Sequence, residues 1–373
     1  MALVKFEIVD RQPFLEGAEF GDVGPYERIE ARAHYALDPS DPNNSALTDI
    51  EHVECGDDGQ IRFSGDVSML IPKNPSRGNR VALVEVPNRG KRTAQRQFNF
   101  APIQIENSSH IDAGDGFLMR HGWSVVWCGW QWDVPEGAGG MGVDAPLVNT
   151  DRAPHPSGKE QMQLRVQPIA SKDCIALTDQ HVGALGNHRT IASIDARDTS
   201  AKLMVRANRD AEPELIPRET WWFGTSTADG DANDADHIWL EGGFSTGLIY
   251  DVVYTPRACH WVSAGFVAMR DLGIFIRDSK ESPLYGHIDH TIAEGISQCG
   301  RFLRHFLHCG MNSDAQGKPV YDGVLAHIAG GRRGEFNHRF GQPSVQPTPS
   351  FGHLFPFTDT RQTDPQTNQS AGL

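Results

Sequence analysis

Gly295-Ile296-Ser297-Gln298-Cys299-Gly300 is the stretch that decides the fold. Small residues stand two before and two after a serine, and a glycine follows. His290-Thr291-Ile292-Ala293-Glu294 precedes it and is short enough for a buried strand. Behind it, Phe302/Phe306 and Leu303/Leu307 repeat at i,i+4, which predicts a helix face. A strand that turns sharply into a helix through a serine flanked by small residues has the form of a nucleophile elbow. The turn is strained, and a bulky side chain two positions either side of the serine would strike neighbouring backbone. Cys299 departs from the strict G-x-S-x-G string, although Gly300 follows at once. The plainer alternative is a Gly/Ser turn between a strand and a helix.

Other segments place this turn in a sheet. Val81-Ala82-Leu83-Val84-Glu85-Val86, Gly122–Cys128, Leu248–Tyr254 and Gly323–Ala329 read as buried strands, and Phe266–Arg277 has helical spacing. Strands separated by helices predict a largely parallel α/β sheet, with its site at the strands' C-terminal ends. Two loops lie at such ends. Pro87-Asn88-Arg89-Gly90-Lys91-Arg92 can present backbone N–H groups to an anion. Gly129-Trp130-Gln131-Trp132-Asp133 offers Trp130 and Trp132 as pocket walls with a Gln and an Asp as polar handles, or as packing under a loop. The expected organisation is a β-rich N-terminal extension (1–78), a first core part (79–133), an insertion or cap (134–245), the core with the elbow (246–340) and a polar, strandless tail (341–373). Asp229-Gly230-Asp231-Ala232-Asn233-Asp234 begins like a calcium loop, but Asp234 and Leu240 stand where an EF-hand needs Gly and Glu. It reads as a solvated acidic turn, and no metal or other cofactor is expected.

The chain has 373 residues, 39 % hydrophobic and 22 % charged, which is ample for a sizeable core. A net charge of −14 without a basic stripe argues against nucleic acid and against an anionic membrane surface as partner. No apolar run approaches the roughly 20 residues of a membrane span. The six cysteines are scattered without a C-x-x-C pair, so free thiols are expected. The first residues lack the features of a signal peptide, and the cytoplasm is the expected compartment.

Residues 294–304 resemble the elbow of the α/β-hydrolase superfamily. Gly24-Pro25-Tyr26-Glu27-Arg28-Ile29, Pro87-Asn88-Arg89-Gly90, Trp239-Leu240-Glu241-Gly242-Gly243-Phe244 and Gly330–Phe340 are similar to strings of a bacterial family of α/β-hydrolase-domain proteins. The resemblance runs from about residue 10 to the end and implies a serine hydrolase with carboxylic esters as substrates. Ser297 would be the nucleophile. The N–H of Gln298 would donate to the oxyanion, helped by the helix dipole, with a second N–H from Asn88, Arg89 or Gly90. Cys299 is a rival nucleophile, disfavoured because burial raises a thiol's pKa. In this superfamily an acid and a histidine follow the serine. The resemblance places them beyond the Phe355–Asp359 stretch, so this chain is expected to be a shortened member lacking its last strands, with a sheet edge open to association. Of the later histidines, His305 and His308 fall on the helix and His327 inside a strand, while His353 comes late. His338, oriented by Glu335, is the best-placed substitute base. The alternative function is a catalytically inactive hydrolase-fold protein that binds a ligand or partner.

Overall fold

The computed structural model describes residues 1–103, 108–135, 137, 139–150, 161–178, 188–208, 211–225, 234–330, 334–344, 361–363 and 370–371. The acidic turn at 229–233, the Phe355–Asp359 stretch and His353 lie outside them.

Eighteen strands and four α-helices are formed among these residues. The N-terminal strands β1 (Leu3–Pro13), β2 (Glu19–Phe20), β3 (Gly24–Leu37) and β4 (Ile61–Pro72) are antiparallel. They are followed by β5 (Val81–Glu85), the helices α1 (Ala94–Asn99) and α2 (Phe117–Arg120), β6 (Ser124–Cys128) and β7 (Val143–Asp144). After the insertion come α3 (Ala264–Asp278), the strand here numbered β15 (His290–Ile296), α4 (Gln298–His308) and β16 (Gly323–His327). One mixed sheet takes them in the order β1-β3-β4-β6-β5-β15-β16, with β2 on β3 and β7 on β4. Only β6-β5-β15-β16 is parallel. The N-terminal strands are therefore no separate layer; β4 pairs directly with β6 and continues the sheet.

Parallel strands are covered on both faces, and their sequences show it. On one face Ala82, Val84, Val126 and Ala293 join the core that holds α3 and α4. On the other, Leu83, Val125 and Trp127 meet α1, α2 and the loops around Phe14 and Phe20. Gly265 lets α3 approach: a Cβ there would stand 2.4 Å from the Trp130 carbonyl oxygen.

The insertion holds β8 (Met162–Val166), β9 (Lys172–Ala176), β10 (Lys202–Arg206), β11 (Glu214–Leu215), β12 (Trp221–Phe223), β13 (His237–Phe244) and β14 (Ile249–Tyr254). They form two small sheets, β11-β10-β14-β8 and β12-β13-β9. The sequence assigned Ile249–Tyr254 to the hydrolase core; it pairs instead with β10 and β8. A short buried run carries no mark of which sheet receives it. The insertion shares one continuous apolar cluster with the main sheet, to which Leu164, Phe223 and Tyr254 belong together with Trp261 and Phe266. The tail is not strandless either: β17 (Gln362–Thr363) pairs with β18 (Ser370–Ala371). None of the six cysteines forms a disulfide among the described residues. No helix among the described residues is long and apolar enough to cross a membrane.

Within the insertion, buried Asp251 on β14 receives Arg165 from β8 at 2.7 Å and Arg206 from β10. This buried triad ties three strands. Asp251→Ala leaves two guanidinium groups without their carboxylate, and we expect it to cost about 3–5 kcal/mol. Urea denaturation of the variant against the native chain measures this, and a loss below about 1 kcal/mol would contradict it.

Candidate functional site

Ser297 joins β15 to α4 with φ 58° and ψ −110°, a backbone conformation that non-glycine residues rarely adopt. Close contacts hold it there. Ser297 N–H donates to the His327 carbonyl at 2.9 Å, and Arg301 N–H donates to the Ser297 carbonyl at 3.1 Å. A Cβ on Gly295 would stand 2.6 Å from the Cys299 carbonyl oxygen, and one on Gly300 2.8 Å from the His327 carbonyl oxygen. Gly295 and Cys299 thus face each other across the turn, which is why both are small. Gly300 is needed for a different neighbour, β16. Phe302, Leu303 and Phe306 anchor the buried face of α4. Ser297 itself is half-buried. Cys299 is fully buried, and burial followed by the Glu85 charge pushes its thiol well above the ordinary range, so it is no competing nucleophile.

Gln298 opens α4, where the first backbone N–H groups and the helix dipole favour negative charge. The loop after β5 lies beside it: Asn88 Nδ2 donates to the Ile296 carbonyl at 2.9 Å. Asn88 and Lys91 exchange both backbone hydrogen bonds, at 2.9 and 3.0 Å, around Arg89 (φ 52°) and Gly90 (φ 79°). This is a type I′ turn. It consumes the Asn88 N–H, so Asn88 drops out as a backbone oxyanion donor and the expectation passes to Arg89 or Gly90.

Trp130 and Trp132 are buried supports rather than open pocket walls. Trp130 donates from Nε1 to the Pro87 carbonyl at 2.9 Å and packs on Phe302 and Phe336 at 4.4 and 5.4 Å. Trp132 stacks on His260 at 4.2 Å and donates to the Gly341 carbonyl at 3.2 Å. They fasten the loop after β5 and the segment 341–344.

His338 and Glu335 come together, and neither is hydrogen-bonded to the Ser297 hydroxyl. His338 Nδ1 donates to the Arg339 carbonyl at 2.7 Å, and Nε2 faces Glu335 Oε2 at 3.8 Å. Glu335 also accepts the Gln342 N–H at 2.8 Å. His305 is buried against Phe266 and Phe336, and His327 is an exposed strand residue. Among the described residues none hydrogen-bonds the Ser297 hydroxyl, and none of their His, Cys, Asp and Glu side chains gather as a metal site.

Sequence reasoning missed a pair of buried carboxyls. Glu85 and Glu294 are register partners on β5 and β15, 0 % and 1 % exposed. Glu85 accepts from Thr93 N–H and Oγ1, Ala94 N–H and Trp127 Nε1, so it caps α1 and fixes the far end of the loop after β5. Glu294 Oε2 has no hydrogen-bond partner. Burial raises both carboxyls, and the Glu85 charge raises Glu294 further, so Glu294 holds the proton. An acidic residue inside each apolar run was the available signal.

A raised carboxyl pKa means that the folded chain binds the proton more tightly than the unfolded one. Stability is then fully present below about pH 4.5 and declines as pH rises towards the folded value near 9. Glu294→Gln keeps the neutral shape. Its stability advantage over the native chain should open between pH 5 and pH 8 by up to about 1.4 kcal/mol per pH unit. Denaturation midpoints at the two pH values test this; a gap independent of pH would refute it.

Residues 198–369 match a family model described as an alpha/beta hydrolase domain. No curated protein and no solved structure matches the chain.

Proposed function

We propose that this chain, whose residues 198–369 match an α/β-hydrolase domain, is a serine hydrolase acting on carboxylic esters through Ser297. The observation that carries the proposal is the backbone of Ser297, a positive-φ serine between a parallel strand and a helix N-terminus. That conformation is the nucleophile elbow, and strain of about 1–3 kcal/mol persists only where the surroundings over-determine it. The hydroxyl oxygen attacks the ester carbonyl and its proton passes to a base. The N–H of Gln298 and an N–H of Arg89 or Gly90 hold the oxyanion. The alcohol departs and water then releases the acid.

A second reading has one observation in its favour: no described imidazole is bonded to the Ser297 hydroxyl, as an inactive, ligand-binding member would have it. A fluorophosphonate probe separates the two. The hydrolase should be labelled at Ser297, with labelling lost in Ser297→Ala and retained in Cys299→Ala. An unlabelled native chain favours the binding protein, and labelling that survives Ser297→Ala rejects the nucleophile.

A further inference from the structure

A closed circuit of hydrogen bonds runs through the buried ground behind Ser297. Asp133, Gln131, Gln298 and Ser344 are all at most 1 % exposed, and Arg89 is nearly as buried. Gln131 Nε2 donates to Asp133 Oδ1 at 2.7 Å, and Gln298 Nε2 donates to Gln131 Oε1 at 3.3 Å. Gln298 Nε2 also reaches the Pro343 carbonyl at 2.6 Å. On the other arm Ser344 N–H donates to Asp133 Oδ2 at 3.0 Å, while the Ser344 carbonyl accepts from Arg89 Nη2 at 2.8 Å. Arg89 Nη1 donates to Asn88 Oδ1 at 3.3 Å, and Asn88 Nδ2 donates to the Ile296 carbonyl at 2.9 Å. The next residues are Ser297 and Gln298, and the circuit closes.

The direction of every bond on the first arm follows from two acceptors, the Asp133 carboxylate at one end and the Pro343 carbonyl at the other. An ionised carboxylate only accepts, whereas a glutamine amide can turn either end forward. Asp133 demands the NH2 of Gln131, which turns the Gln131 oxygen to Gln298, and the Pro343 carbonyl holds the Gln298 NH2 towards that oxygen so that neither amide can turn alone. We propose that Asp133 is a positioning residue that sets the polarity of this circuit and so holds the Gln298 N–H and the loop after β5 at the separation an oxyanion requires. The proposal rests on Ser297 as nucleophile. Asp133 touches no reacting atom; it acts through Gln131 and Gln298 on one side, and through Ser344 and Arg89 on the other. Along the circuit each bond pairs a donor with an acceptor, although the Ser344 hydroxyl stands without a partner, and a single reversed partner leaves donor facing donor.

That logic supplies its own rescue. Asp133→Asn keeps the shape but presents an NH2 either to Gln131 or to Ser344 N–H, both donors. Gln131→Glu alone sets two carboxylates side by side. The double variant Gln131→Glu/Asp133→Asn restores complementarity with the direction reversed and the net charge unchanged. In that pair the new amide oxygen at position 133 takes the Ser344 N–H. Its NH2 donates to the new carboxylate at position 131, and that carboxylate accepts from Gln298.

The experiment measures the fluorophosphonate labelling rate of Ser297 and the backbone amide resonance of Gln298 in four chains: native, each single variant and the double variant. Circular dichroism melting confirms that each is folded. Each single variant should label about 10–100-fold more slowly and shift the Gln298 amide, and the double variant should recover both. Single variants that label at the native rate, or a folded double variant that recovers nothing, would overturn the role of Asp133. If the native chain itself does not label, the nucleophile assignment fails separately. The Gln298 amide then decides the circuit: a shift in Asp133→Asn that is reversed in the double variant sustains it, and an unmoved resonance rejects it.

Discussion

The positive φ of Ser297 is the constraint on which the rest of the sheet's C-terminal end depends. Left to itself the chain would relax the turn, because the conformation costs about 1–3 kcal/mol. It is held by three contacts that leave no room to move: Gly295 against Cys299, Gly300 against the His327 carbonyl, and Ser297 N–H on that same carbonyl. Two of the three involve β16. The turn is therefore a property of the β15–β16 pair rather than of the hexapeptide, and α4 can start where it does only because β16 ends where it does. The apolar face of α4, with Phe302 and Phe306 packed on Phe266, supplies the burial that offsets the strain.

Around this turn the protein buries polar groups that an apolar core would avoid. Glu85 meets four donors, whereas Glu294 across the strand pair leaves an oxygen without any. Like charges on neighbouring buried positions cannot both persist, so the carboxyl with hydrogen-bond donors keeps its charge and the other its proton. Asp133 and Arg89 are arranged differently. They grip opposite ends of one residue, the N–H and the carbonyl of Ser344, so that residues 341–344 are fastened against the elbow by charged groups at both points. Such charge-assisted bonds are directional where apolar packing is not, and direction is what an anion-binding geometry needs.

The turn was legible because its chemistry is local. Gly295, Ser297 and Gly300 follow one another in the chain, and their steric demands are met by near neighbours. The strand cores Val81–Glu85 and His290–Ile296 were legible because they are short, mostly buried and mostly apolar runs. The same property misassigned Ile249–Tyr254, since an apolar run looks alike in either sheet. Trp130 and Trp132 were correctly placed at a strand end, yet only their indole N–H partners, Pro87 and Gly341, reveal them as supports. Asn88 failed as a donor for a reason no spacing carries: Arg89 and Gly90 both take positive φ, and the resulting turn closes on the Asn88 N–H. The carboxyl pair and the Asp133 circuit join residues far apart in sequence, and their partners could not be chosen without the fold.

The order of strands also dictates an order of events. β5 lies between β6 and β15, and β15 enters the chain only after the whole insertion. During synthesis at about 5–20 residues per second, one edge of β5 stays unpaired for roughly 10–40 s. In that interval β1, β3, β4, β6 and β5 can already lie side by side as an incomplete sheet, with the apolar face that will receive α3 and α4 turned to water. A nascent chain in this condition exposes an unpaired strand edge and apolar surface, and the edge of β5 is covered only when His290–Ile296 pairs with it. The strand that brings the serine is also the one that covers the open edge of β5, and β16 then pairs on its far side.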